Sequence, residues 1–276
     1  MFAPKSLFPA LLLTFALTAC DEHTGPLQVD EDAFSWQGPV AAGKTLYLRE
    51  MQGGIEVVPA ADDTLRVTAR TEWRSGDPET SLRFSANDQN GDVLICAMWN
   101  NTGTCTSEAY SANVKFGRQN RTDAKVYFRV EVPAGVRLDL VSIDGSISAT
   151  STAPVRARTL NGDVRVATAV GPVKAETMNG SVDVRMSSIV GTDTVEAKTL
   201  NGSAFVYLPD GIDAALDMSV MNGSVGTEFT AATIIERTPR KFIGSLGKGT
   251  HPVRISTING EAALRRLDAE GKSGNP

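Results

Sequence analysis

The sequence predicts an all-β fold of repeated units, a β-solenoid or β-helix-like stack with about 17–22 residues per repeat. Three observations predict it. Six short segments share one pattern that ends in Asn-Gly or Asp-Gly. Apolar and polar residues alternate with a period of two on both sides of that pattern, as strands with one buried face require. The 276 residues are rich in Val, Thr, Ser and Ala, with 25 Gly and 13 Pro, and carry no long stretch of 3.6-residue apolar periodicity. That composition favours many short strands and turns.

The six copies centre on Asp144, Asn161, Asn179, Asn201, Asn222 and Asn259, and Glu50-Met51-Gln52-Gly53 is an earlier, weaker copy. Successive centres lie 17, 18, 22, 21 and 37 residues apart. The last gap is about two periods, so one degenerate repeat is expected within residues 229–250. Six, four and two places before the Asn stand sets such as Val155/Ala157/Thr159 and Val173/Ala175/Thr177, and three and five places after it stand Val164/Val166 and Val182/Val184. Inward parity therefore changes at the Asn-Gly, where an extra apolar residue (Leu160, Met178, Leu200, Met221, Ile258) also appears. A corner or bulge is required there, and Asn and Gly permit it by tolerating positive φ.

Two arrangements use such units. In a solenoid, like residues stack on like about 4.8 Å apart. In an antiparallel hairpin array or β-sandwich, each Asn-Gly is instead a type I′ turn. The outward positions favour the solenoid, because Arg158, Glu176 and Lys198 then stack as a ladder of alternating charge. Each such surface pair adds only about 0.2–1 kcal/mol, against roughly 1.5–3 kcal/mol for a buried Val or Leu. Apolar columns hold this fold and charges help its register.

The amino terminus has an export layout. Lys5 precedes an apolar run over residues 7–17, closed by Leu17-Thr18-Ala19-Cys20. The run is shorter than the ~20 residues a membrane-spanning helix needs. Leu-Thr-Ala-Cys resembles the lipobox of bacterial lipoproteins, which makes Cys20 the acylated first residue of the mature chain, anchored to a bilayer on the periplasmic or cell-surface side. Losing residues 1–19 removes one charge, Lys5, and takes the net charge from −5 to −6. Residues 20–36 read as anchor and acidic tether, 37–135 as the first β layers and cap, 136–268 as the Asn-Gly repeat region and 269–276 as a tail. Residues 100–122 read as a long polar loop. In an oxidising compartment Cys96 and Cys105, flanking an Asn-Asn-Thr-Gly turn signal, read as a disulfide. Free thiols or a metal site are the competing readings; with His23 and His251 the only histidines, no metal set or cofactor is expected.

Gly76-Asp77-Pro78, Ile95-Cys96-Ala97 and the run Val130-Glu131-Val132-Pro133-Ala134-Gly135-Val136, leading into Leu/Met/Ile-Asn-Gly units, resemble the DUF4097 group of adhesin-like domains over residues 45–267. The resemblance implies a repetitive β-helical fold in the bacterial cell envelope and supplies no catalytic motif.

Candidate chemistry is sparse. Asp144 and Asp163 fall on successive repeats, where a carboxylate pair would serve glycoside chemistry or calcium; a solvated edge is the plainer reading. His251, before Pro252, reads as a strand-start residue. The Asn column reads as a structural amide ladder or as a ligand row. Phe205 and Tyr207 take the outward parity after Asn201, so they form a binding surface for an envelope polysaccharide or protein, unless a covering segment buries them. Trp73 and Trp99 read as core or cap. Basic residues are dispersed among acidic ones, which disfavours a nucleic-acid partner. The sequence therefore points to a non-catalytic, membrane-anchored binding or scaffold module. An accessory lipoprotein of an envelope stress-sensing system and a carbohydrate-active β-helix enzyme are the alternatives.

Overall fold

The computed structural model describes residues 25–99, 103–112, 122–189 and 193–267. Cys20 and His23 lie outside the described residues, as do the tail and most of the 100–122 stretch.

The chain enters as β1 (Gln28–Pro39) and turns one coil with β2 (Thr45–Arg49) and β3 (Gln52–Pro59). It runs back through β4 (Thr64–Trp73), a one-turn helix α1 (Pro78–Ser81) and β5 (Leu82–Gln89). A further coil is β6 (Asp92–Trp99) and β9 (Lys125–Val132), separated by a small hairpin, β7 (Gly103–Cys105) and β8 (Tyr110–Ala112). Four coils follow. They are β10 (Arg137–Val141) with β11 (Asp144–Ser151), β12 (Val155–Arg158) with β13 (Val164–Thr168), β14 (Val173–Glu176) with β15 (Val182–Met186), and β16 (Val195–Lys198) with β17 (Ala204–Leu208). Then β18 (Ala214–Thr227) is a coil in one bent strand, β19 (Thr233–Thr238) and β20 (Lys241–Leu246) are a hairpin, and β21 (His251–Arg266) is a second bent coil.

Parallel pairing stacks these coils as a two-sided solenoid in the order β6/β9, β2/β3, β10/β11, β12/β13, β14/β15, β16/β17, β21, β18. Strands before the corner form the first sheet and strands after it the second. Like stacks on like, Val155 on Val173 on Val195 and Val164 on Val182 on Ala204. The inward columns are dry: Val155, Ala157, Val164 and Val166 are each at most 2% exposed. Antiparallel strands close the ends, with β5, β4 and β1 at one and β20 and β19 at the other.

The corner explains the repeat. Gly162, Gly180, Gly202 and Gly260 take φ between +134° and +147°, a conformation L side chains rarely adopt. A Cβ at Gly180 would also fall on the carbonyl oxygen of Gly162 in the neighbouring coil. The inward Thr two places before each Asn is polar for a reason. Thr159, Thr177, Thr199 and Thr257 donate their hydroxyls at 2.8–2.9 Å to the corner carbonyls of Gly145, Gly162, Gly180 and Gly202 one coil below. Corner carbonyls that are buried or partly buried are thereby satisfied.

Several expectations are corrected. Residues 229–250 hold no degenerate coil: they are largely the β19–β20 hairpin, which pairs antiparallel with β18. The doubled spacing arises because β21 returns to insert between β17 and β18. The tether expected over residues 20–36 is already strand from Gln28, where β1 gains a ladder with β4. Within the expected polar loop, β7 and β8 pair as a hairpin. The ladder Arg158, Glu176, Lys198 has the expected register. The ion pairs, however, centre on Lys174, which reaches Glu176 at 3.2 Å and Glu196 at 3.3 Å.

Candidate binding face

The outward residues of the second sheet form a flat ribbon running from β4 and β9 across β3, β11, β13, β15 and β17 to β21. Because strand parity sends alternate side chains outward, one row reads Tyr127, Gly54, Ser146, and the next row reads Arg129, Glu56, Ser148, Arg165, Asp183, Phe205.

Phe205 is outward and half-buried, with the Arg265 guanidinium carbon 4.2 Å from its ring centroid. Tyr207 is also outward, but only 5% exposed, which corrects its reading as an open platform. Its strand neighbours are Arg185 and Arg265, and the Arg185 guanidinium lies 4.9 Å from the ring centroid. Long guanidinium side chains stack on aromatic faces, so outward parity here does not mean exposure. Burial and the nearby Asp183 carboxylate push the Tyr207 hydroxyl above its ordinary pKa. Burial likewise raises Asp183, against the opposing pull of Arg185 and Arg165.

At the other end of the ribbon stands Tyr127, which the sequence reading passed over within a less regular strand. Arg70 stacks on its ring, guanidinium carbon 4.3 Å from the centroid. Arg70 is fixed in turn by an ion pair with Glu72. Arg129 pairs with Glu56 at 2.7 Å and Arg165 with Asp163 at 2.7 Å.

The Asn column is a continuous amide ladder. Asn179 donates to Asn161 at 2.8 Å, Asn201 to Asn179 at 2.8 Å, Asn259 to Asn201 at 2.7 Å and Asn222 to Asn259 at 2.9 Å. Asp144 continues the column below Asn161, and Gln52 lies below Asp144. Asp163 serves the next column: its carboxylate accepts from the Ser181 backbone N–H at 2.9 Å and from Arg165. Its oxygens thus have structural partners rather than an open approach to Asp144. His251 opens β21, and Trp99 is core at 2% exposed.

Cys96 and Cys105 form the disulfide. It ties the β7–β8 hairpin to β6, and Arg49 seats the same segment by donating to the Ser107 carbonyl at 2.6 Å while pairing with Asp139 at 2.9 Å. Beside Arg49, Glu50 takes the inward position held by Thr in later coils. It is wholly buried, and among the described residues neither carboxylate oxygen has a well-formed hydrogen bond. Desolvation pushes its pKa up to about 8, although the Ser142 hydroxyl pulls the other way. The signal for Glu50 was legible: among the copies it is the one acid in the Thr column.

No family model matches the chain, and no curated protein matches its sequence. Several solved structures resemble it, including the following two. A "putative cell adhesion protein" from Clostridium sporogenes is 15% identical, the match covering 84% of this chain and 99% of that one, with a TM-score of 0.44. A "putative adhesin" from Bacteroides fragilis is 8% identical over 87% of this chain and 97% of that one, with a TM-score of 0.32.

Proposed function

We propose that the chain is an exported, lipid-anchored module that binds an extended envelope polymer, polysaccharide or protein, along the outer face of its second sheet, without covalent chemistry. One observation carries the reading. Tyr127 and Phe205 stand on the same face five inter-strand steps apart, from β9 through β3, β11, β13 and β15 to β17. At about 4.8 Å per step the separation is roughly 24 Å. Between them Gly54, Ser146 and Ser148 are interspersed with the charged Glu56, Arg165 and Asp183, a polar strip suited to a chain-like partner. Aromatic rings held by guanidinium groups approach a ligand without losing side-chain freedom on binding.

Anchoring rests on residues 1–20, and membership of the DUF4097 group rests on the motifs of the repeat region. Both belong to this proposal. Radiolabelled palmitate is expected to enter the wild-type chain and not Cys20→Ser; label in the variant would overturn Cys20 as the anchor.

The binding role is tested with the mature chain from Asp21, without Cys20, against envelope extract and isolated polysaccharides. Saturable retention of one component, weakened in Phe205→Ala, is the expected result. Retention of nothing overturns the reading.

A further inference from the structure

On that binding role rests a narrower inference: we infer that the second sheet carries a neutral-saccharide subsite in the hollow between Tyr127 and Ser146. The hollow has a volume of about 610 Å³, within the range of roughly 300–1,000 Å³ common to small-ligand sites.

A missing side chain makes the hollow. Across the sheet one outward row reads Arg70, Tyr127, Gly54, Ser146 on four adjacent strands. Arg70 closes one face of the Tyr127 ring. Gly54 leaves the opposite side free, and the space is tight enough to measure: a Cβ there would lie 3.3 Å from the Ser146 carbonyl oxygen and 3.7 Å from Tyr127 Cδ1. Gly54 does not take a positive φ, so its backbone conformation does not demand glycine. Its lack of a side chain both eases the close approach of the Ser146 strand and leaves the space beside the Tyr127 ring open.

The walls select the ligand. A pyranose ring has an apolar C–H face that stacks on an aromatic ring, and a rim of hydroxyls that both donate and accept. Tyr127 supplies the ring. The Arg129–Glu56 pair, 2.7 Å apart and with both side chains more than half exposed, lies in the next row. It offers guanidinium N–H donors beside carboxylate acceptors, a combination suited to vicinal hydroxyls. Both cations at the hollow, Arg70 and Arg129, already have carboxylate partners in Glu72 and Glu56, and Glu31 adds a further acid to the lining. A phosphate or uronate would meet that acid with no unpaired cation in return among the described lining residues. Strand addition by a peptide is disfavoured too: the floor is mid-sheet, β3 being paired on both sides by β9 and β11.

The test is calorimetric titration of the full chain, extracted in detergent, with cellotetraose, chitotetraose and a galacturonate tetrasaccharide. Wild type, Tyr127→Ala, Gly54→Val and Phe205→Ala are compared. Gly54→Val fills the floor with a residue suited to strands, and an unchanged thermal transition separates plugging from misfolding. The expected result is saturable binding of a neutral probe, weakened about tenfold or more by Tyr127→Ala and by Gly54→Val, and less than about threefold by Phe205→Ala. Neutral binding that survives both hollow variants, or a preference for the galacturonate, overturns the subsite. If envelope polymer is retained while no neutral probe binds, the subsite falls and the wider binding role stands; if nothing is retained, both fall.

Discussion

The coils around Asn161, Asn179 and Asn201 and the coil at the opposite end of the stack solve the same corner differently. In the regular coils each corner is satisfied by its neighbours: amide to amide, Thr hydroxyl to Gly carbonyl, and Ser or Asp side chain to the backbone N–H one coil on. In the β6/β9 coil the corner is replaced by an insertion that carries the disulfide, and Gly53 packs on the backbone of Val126 instead of on another corner glycine. Glu50, at the boundary, is buried with neither carboxylate oxygen in a well-formed hydrogen bond among the described residues. A repeat of this kind meets its own polar requirements only where the next coil carries the same corner. Where repetition stops, an uncompensated group is left behind.

Neutralising that group is expected to have the largest effect. The native state holds the Glu50 proton up to about pH 8, whereas the unfolded chain releases it near 4.5. Its contribution is therefore fully present below pH 4.5 and is lost as pH rises towards 8. At about 1.4 kcal/mol per pH unit the loss is on the order of 5 kcal/mol. Glu50→Gln should flatten this dependence in denaturant titrations at stepped pH; an unchanged slope would show that Glu50 is ionised when folded.

Gly180→Val strikes the regular region instead. It combines a positive φ with a Cβ directed at the Gly162 carbonyl, and should cost about 3 kcal/mol or more. A loss below 1 kcal/mol in chemical denaturation would mean that the corner relaxes. Cys96→Ser with Cys105→Ser opens a loop of sequence separation 9 and should cost about 2–3 kcal/mol. Faster amide exchange confined to the β7–β8 hairpin would sharpen the contrast, because the regular coils should be untouched. Asn179→Ala breaks two exposed ladder bonds and should cost about 1 kcal/mol, read as a small fall in the denaturation midpoint.

The repeat region was legible because period and parity both follow from strand geometry. Val155, Ala157, Val164 and Val166 could be placed inward from spacing alone, and the Asn positions could be aligned as a column. Chain order across the stack was not legible. The 37-residue gap is equally compatible with a weak coil and with a hairpin, and only long-range pairing puts Asn259 between Asn201 and Asn222. Exposure was harder still. The parity of Tyr207 was right, but its cover comes from Arg185 and Arg265 on neighbouring strands, contacts that no local pattern encodes. Tyr127 was missed because its partner is an absence, the bare backbone of Gly54.

The insertion of β21 between β17 and β18 also dictates when the molecule can be finished. A chain made from its amino terminus delivers β18 well before the strand that must lie between it and the stack. Until residue 266 has emerged, neither β17 nor β18 has the parallel neighbour that β21 gives it, and the growing edge of the solenoid stays open. Completion thus falls to β21, the last strand among the described residues, a closure with high sequence separation and correspondingly slow assembly. A chain ended near residue 250 would lose more than one strand: β16, β17 and β18 would all lose the partner that β21 gives them.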